Sequence, residues 1–132
     1  MRTHTLTLRV RYGETDQMGV VYHANHILYF EMGRTELMRE AGFPYAKLEA
    51  QGILLVVTEV SCRYRSPARY DEELRVITTV ERIGRATISF RYEILGPSGA
   101  LVAEGRTELA SVDASKRPVR LPEEVASRLE KS

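Results

Sequence analysis

Only one long stretch of this 132-residue chain carries a helical pattern, and it lies near the front of an otherwise strand-like sequence. From Asn25 onward, Ile27, Phe30, Leu37, Met38 and Ala41 recur at the spacing of one helix face, Gly42 stands where a C-terminal cap belongs, and Pro44 follows. A helix of about 16 residues would be roughly 24 Å long. Its apolar stripe must be covered, and with no second long helix to receive it, a sheet is the remaining cover. Gly33 falls inside this helix at a cost of about 1 kcal/mol relative to alanine. That cost is explained if the helix packs too closely on the sheet there for a side chain.

The strands follow from period-two alternation. Residues 5 to 12 set Leu6, Leu8, Val10 and Tyr12 against Thr5, Thr7, Arg9 and Arg11, as in a half-buried strand. Residues 45 to 51 read as a short second helical turn, and Ile53 to Val57 as a continuous buried run. Val60, Cys62 and Tyr64 then alternate up to Ser66-Pro67. Residues 73 to 83 and 86 to 95 read as two strands around a turn at Gly84, the second with Ile88, Phe90, Tyr92 and Ile94 on one face. Gly96-Pro97-Ser98-Gly99 is a strong turn signal. Residues 101 to 112 form a last strand whose alternation slips near Leu109-Ala110, as at a bulge. Pro122 to Leu129 closes the chain as a short helix. The expectation is a single α+β domain over residues 1–132: one strand, one long helix, then four antiparallel strands. Ile53 to Tyr64 is too apolar for a free sheet edge, so pairing with a second copy in a homodimer is expected.

Composition narrows the function classes. With 43% hydrophobic and 28% charged residues, this is an ordinary globule able to bury a core. A formal net charge of +1 gives no general case for nucleic acid or an anionic membrane surface. Cys62, the only cysteine, excludes an internal disulfide and a cysteine-only metal site, and fits a reducing, cytoplasmic setting. Met1 to Val10 mixes charges and threonines rather than forming a secretory signal, and no segment approaches the roughly 20 apolar residues of a membrane span.

The segment Tyr12-Gly13-Glu14-Thr15-Asp16-Gln17-Met18-Gly19-Val20-Val21-Tyr22-His23-Ala24-Asn25 places a carboxylate and a glycine turn just ahead of the long helix. A helix start offers unpaired backbone N–H groups and the positive end of the macrodipole, which suit a carbonyl oxygen gaining negative charge during acyl transfer. Asp16 would attack directly or activate water, and the residue pattern leaves both routes open.

This block, with Tyr29-Phe30-Glu31, Arg34-Thr35-Glu36, Tyr64-Arg65-Ser66-Pro67-Ala68-Arg69-Tyr70-Asp71 and the ending Val112-Asp113 through Pro118 to Pro122, resembles the hotdog-fold acyl-CoA thioesterases. The resemblance is to the 4-hydroxybenzoyl-CoA thioesterase-like group that includes the bacterial enzymes encoded beside the Tol-Pal genes. It implies one helix wrapped by a curved, antiparallel, five-stranded sheet, two subunits sharing one continuous sheet, often as pairs of dimers, and a site at the subunit interface. It also implies hydrolysis of acyl-CoA thioesters, short-chain or aromatic, without metal or cofactor. By the same resemblance Asp16 is the catalytic carboxylate, the backbone N–H of His23 polarises the thioester carbonyl, and Tyr22 and Asn25 flank the site. The alternative is a catalytically inactive hotdog module that binds acyl-CoA or acyl carrier protein. A hotdog dehydratase would need an acid/base pair set for adjacent carbons, which the Asp16 block does not resemble.

Other residues compete for roles. His23 and His26 lie three apart, but a third ligand at suitable spacing is lacking, so no metal site is expected. Glu31 and Glu36 read as solvated helix glutamates paired with Arg34 or Arg39. Of the basic residues Arg63, Arg65, Arg69, Arg82 and Arg85, Arg65 and Arg69 are the candidates for gripping the phosphates of coenzyme A; neighbouring Asp71, Glu72 and Glu73 offer ordinary surface ion pairing instead. Met18, Met32 and Met38 are adaptable fillers of core or acyl pocket.

Overall fold

A computed structural model describes residues 1–131. Strand β1 (Thr3–Arg9) leads through a 3-10 turn (Tyr12–Glu14) to α1 (Asn25–Glu40), followed by α2 (Tyr45–Ala50), β2 (Leu54–Tyr64), β3 (Glu73–Ile83), β4 (Thr87–Leu95), β5 (Leu101–Val112) and α3 (Glu123–Glu130). The five strands form one antiparallel sheet in the order β1-β3-β4-β5-β2, so β1 and β2 are its two edges. Among the described residues no helix is long and apolar enough to cross a membrane.

Helix α1 is 16 residues long and ends as its sequence prescribes. Gly42 takes φ 95°, a left-handed conformation that favours glycine. The Gly42 amide donates to the Arg39 carbonyl at 3.0 Å and the Phe43 amide to the Met38 carbonyl at 2.9 Å, the two bonds of a Schellman motif. Tyr29, Phe30, Leu37 and Met38 are buried against Val76 and Val80 of β3, Ile88, Phe90, Tyr92 and Ile94 of β4, and Leu109 of β5 within one core. Phe30 lies flat on Tyr92, ring centroids 4.5 Å apart. At Gly33 the close approach is real: an added Cβ would land on the Thr78 hydroxyl and within 2.9 Å of a Val76 methyl. Gly105 admits Phe30 in the same way, since a Cβ there would sit 2.7 Å from the ring's Cζ.

Four expectations change. The first strand ends at Arg9, and Tyr12, expected on its inward face, is exposed in the 3-10 turn with its ring edge-on to Tyr70. The run Ile53 to Val57 is not continuously buried: Ile53 is, but Val56 and Val57 are exposed, because β2 is an edge strand and its own chain leaves that side open. Ile27, placed on the buried helix face, is likewise 38% exposed in the first turn of α1. The bulge lies on the opposite strand, at Thr58 of β2, where the register steps from Val57↔Leu109 to Glu59↔Glu108; around Leu109 in β5 alternation holds, with Thr107, Leu109 and Ser111 all buried.

Candidate active site

Residues 10 to 24 cross from the sheet edge to the helix start, and backbone pairing fixes their path. The Val10 amide donates to the Glu72 carbonyl at 2.9 Å, and the Val21 amide to the Ala68 carbonyl at 2.8 Å, so both ends of the loop are held against the segment between β2 and β3. Thr15 and Val21 pair in a short antiparallel bridge. Its reversal uses Gly19 at φ 78°, with the Asp16 amide donating to the Val20 carbonyl and the Gly19 amide to the Asp16 carbonyl, both at 2.9 Å. Asp16 Oδ1 accepts the Met18 amide at 2.9 Å, which orients the carboxylate and leaves lone pairs on both oxygens.

Glu14 anchors the loop to the helix, a role that sequence reasoning missed. Its Oε1 accepts the Arg11 amide at 2.8 Å and the Tyr29 hydroxyl at 2.9 Å, while Oε2 faces the Arg11 guanidinium at 3.2 Å. Its backbone carbonyl accepts the Tyr22 amide at 2.9 Å and the Asn25 side-chain amide at 2.8 Å. Burial alone would raise the Glu14 carboxyl, but hydrogen bonds from the Arg11 amide and the Tyr29 hydroxyl, with the Arg11 charge, hold it below its ordinary value. The Tyr29 hydroxyl is pushed well up by its own burial and then by that carboxylate, so it remains a donor. Nothing local in the sequence marks a bond across 15 residues; only the helical phase of Tyr29 could have suggested it.

The start of α1 is unusual in what it lacks. Ala24 at the N-cap supplies no side-chain cap, and no acidic residue occupies the first turn. The amides of His23 and Ala24 donate no hydrogen bond to any described residue. They are therefore available to an external acceptor, with the helix dipole behind them. The His23 carbonyl, by contrast, accepts twice: from the Tyr64 hydroxyl at 2.6 Å and from His26 Nδ1 at 3.1 Å. Because a carbonyl only accepts, the proton of His26 is assigned to Nδ1. Burial lowers the His26 pKa despite these carbonyl contacts, which favours the neutral ring. Burial and the Cys62 side chain push the Tyr64 hydroxyl up to about 12. The Cys62 thiol is itself raised by burial, which keeps it protonated and makes it a poor nucleophile.

These groups meet at an open cavity of about 320 Å³. Asp16, His23, His26, Tyr64 and Arg65 supply its polar groups, and Met18, Val20, Val21 and Pro67 its apolar surface. Asp16, His23 and Arg65 thus come together as the sequence suggested. Tyr22, Asn25 and Arg69 do not line the cavity: Tyr22 is exposed beside the His23 ring, the Asn25 amide is bonded to the Glu14 carbonyl, and the Arg69 amide donates to Glu72. Arg65 is partly committed, its Nε donating to Glu104 at 2.8 Å. Arg63 faces a different hollow, with Glu81 and Arg91. Glu36 pairs with Arg39, whereas Arg34 is buried and donates to the Tyr45 and Tyr92 hydroxyls at 2.7 and 3.2 Å. Of the three methionines, Met18 lines the cavity, Met38 is in the core, and Met32 is exposed on the helix. A larger groove of about 1040 Å³, between Arg85 and Arg120, lies by the β3–β4 turn, at the opposite end of the sheet from Tyr64, and holds none of these groups.

A single long helix wrapped by a five-stranded antiparallel sheet, with a carboxylate loop leading into an uncapped helix start, defines a hotdog fold of the thioesterase kind. The sequence profile of the thioesterase-like superfamily matches residues 10–129, and the chain belongs to that superfamily. Among its relatives, the acyl-CoA thioesterase YbgC of Haemophilus influenzae is 36% identical over 120 residues, covering 89% of this chain and 88% of that one. The acyl-CoA thioester hydrolase YbgC of Escherichia coli O157:H7 is 31% identical over 121 residues, covering 91% and 90%. The crystal structure of DHNA-CoA thioesterase from Staphylococcus aureus superposes with a TM-score of 0.92 at 34% identity, covering 98% of this chain and 92% of that one.

Proposed function

We propose that this chain hydrolyses acyl-CoA thioesters, short-chain or aromatic, to the free acid and coenzyme A. The observation that carries the reading is that the Asp16 carboxylate and the helix-start residue His23, whose amide has no partner within the described chain, share one cavity. A thioester is already activated, so a positioned carboxylate and one oxyanion donor suffice. In one route Asp16 attacks the carbonyl carbon, the C–S bond breaks, coenzyme A leaves as thiolate, and water hydrolyses the resulting anhydride. In the other, Asp16 takes a proton from water as water attacks, and the tetrahedral intermediate collapses with loss of the same thiolate. In both, the charge developing on the carbonyl oxygen is met by the His23 N–H and the helix dipole. Met18, Val20 and Val21 offer an apolar surface to an acyl group, and Arg65 a cation to the phosphates of coenzyme A.

The exposed side of β2, with Val56, Val57 and Val60, supports pairing with a second copy, which would bring a partner surface to the cavity edge at Tyr64. The runner-up is a binding module for acyl-CoA or acyl carrier protein, and the intact Asp16 favours the enzyme over it. The test is thiol release from a panel of acyl-CoA and acyl-carrier-protein thioesters with no metal added. Turnover in the wild type, reduced at least about 100-fold in Asp16→Ala with substrate affinity retained, is the expected outcome. Binding without cleavage across the panel would favour the module, and an active Asp16→Ala would move the chemistry elsewhere.

A further inference from the structure

The residues that touch the His23 carbonyl have no part in the chemistry above, yet they converge on the residue whose own N–H receives the oxyanion, at the peptide that follows it. We infer that Tyr64 is a positioning residue for thioester hydrolysis: its hydroxyl, together with His26 Nδ1, clamps the His23 carbonyl and holds the helix start in the orientation that receives the oxyanion. The inference rests on the thioesterase reading for its kinetic consequence, but not for the clamp itself.

The argument begins with what this helix start lacks. With no side-chain cap at Ala24, the first turn would be free to fray, and an oxyanion donor placed there would be poorly aimed. Two donors on one carbonyl restrain this turn instead, while leaving the N–H groups of His23 and Ala24 free. The Tyr64 bond, at 2.6 Å, is short for a neutral pair, and the His26 bond at 3.1 Å comes from within the first turn of α1 itself. The two donor rings pack edge-to-face at 4.8 Å, so each restrains the other. Because the peptide is planar, fixing the His23 carbonyl also fixes the Ala24 N–H across the same bond and steadies the Cα of His23, whose own N–H on the other side receives the oxyanion.

Tyr64 brings this restraint from outside the helix. It is the last residue of β2 and pairs with Ala103 of β5, so its backbone is part of the sheet while its hydroxyl reaches 41 residues back along the chain. The clamp therefore ties the helix start to the end of an edge strand. Tyr64 is 48% exposed in the protomer, so its ring contributes modestly to the core and its hydroxyl bond is its distinctive contact. With its hydroxyl pushed up to about 12 by burial and the Cys62 side chain, it remains a donor at neutral pH. A purely structural tyrosine would affect stability and leave turnover per folded molecule unchanged, and this difference separates the two roles.

The experiment compares wild type, Tyr64→Phe, His26→Asn and His26→Phe as intact chains. Steady-state kinetics on an acyl-CoA that the wild type cleaves is combined with amide hydrogen exchange by NMR at Asn25, whose amide closes the first turn on the Tyr22 carbonyl at 2.9 Å. Tyr64→Phe, which removes one oxygen, is expected to lower kcat about tenfold with KM within about twofold, as for a misaimed catalytic group. Exchange at Asn25 should quicken as the first turn frays, while exchange in β3 and β4 stays as in wild type. His26→Asn keeps an N–H donor and should recover most of the turnover that His26→Phe loses. Unchanged kcat and unchanged Asn25 exchange in Tyr64→Phe would overturn the clamp even if the protein is an active thioesterase. A wild type that cleaves nothing would overturn the thioesterase reading, and the exchange measurement would still decide whether the clamp exists. Loss of exchange protection throughout β3 and β4 in Tyr64→Phe would make the residue structural and also overturn the inference.

Discussion

Gly33→Ala opposes helix propensity to packing, and the structure decides the sign. In an exposed helix the change would add about 1 kcal/mol of stability. Here the new Cβ would land on the Thr78 hydroxyl and 2.9 Å from a Val76 methyl. Thr78 has little room to yield: it is fully buried and its backbone is paired on both sides, with His4 in β1 and Tyr92 in β4. Overpacking of this kind costs about 1–3 kcal/mol. With a contact this close the upper part of that range applies, so the net effect is a loss of about 1–2 kcal/mol, or about 3–8 °C in melting temperature for a domain of this size. The Thr78 hydroxyl has no hydrogen-bond partner among the described residues, so Thr78→Ala in the same chain removes the closer of the two contacts, leaving the Val76 methyl, without orphaning another group. Gly33→Ala/Thr78→Ala should therefore be more stable than Gly33→Ala alone. The assay is thermal unfolding at one fixed protein concentration, since association would shift the midpoint. A Gly33→Ala protein more stable than wild type would refute the reasoning, because propensity would then have outweighed packing.

His23→Ala retains the backbone N–H and should lose little turnover, whereas His23→Pro removes that donor and should lose roughly 2.7–4 kcal/mol of transition-state stabilisation; equal losses in two well-folded variants would assign the role to the imidazole. The Glu14 carboxyl is held below its ordinary value of 4.5, so its contribution to stability is complete above that pH and is lost as the pH falls through its lower folded-state value. Glu14→Gln should therefore show a shallower loss of stability on acidification below about pH 4.5 than wild type, as followed by urea denaturation across the acid range. Val57→Asp places a carboxylate on the open side of β2, where burial against a second copy would cost several kcal/mol; light scattering should find it dissociated, and a fully active wild-type monomer would remove the pairing argument.

What the sequence disclosed was local. Helix α1, its glycine stop and the tight contact at Gly33 could be read because period, cap and composition all act within a few residues. The exposure of Val56 and Val57 could not, because it depends on β2 falling at the edge of the order β1-β3-β4-β5-β2, a property of the whole sheet. The site divides in the same way. Asp16 and His23 belong to one contiguous motif and share the cavity. Glu14 with Tyr29, and Tyr64 with His23, act through bonds spanning 15 and 41 positions, for which neither residue carries a sign. Asn25 illustrates the limit of motif reading: expected to flank the site, it does not line the cavity, and its amide is occupied by the Glu14 carbonyl.

The strand order also dictates when the site can exist during synthesis. Strands β3, β4 and β5 are neighbours in sequence and in space, but β1 must wait for β3, pairing Thr3 with Thr79, and β2 must wait for β5, pairing Tyr64 with Ala103. The loop bearing Asp16 and the helix behind it therefore leave the ribosome before the surface they dock on has been made. At about 5–20 residues per second that surface arrives several seconds later, and until then the apolar stripe of α1 has no cover. The part of the chain that carries the chemistry is thus translated early and ordered late, and a nascent chain stopped before β5 would hold the whole Asp16 motif without the sheet that gives it shape.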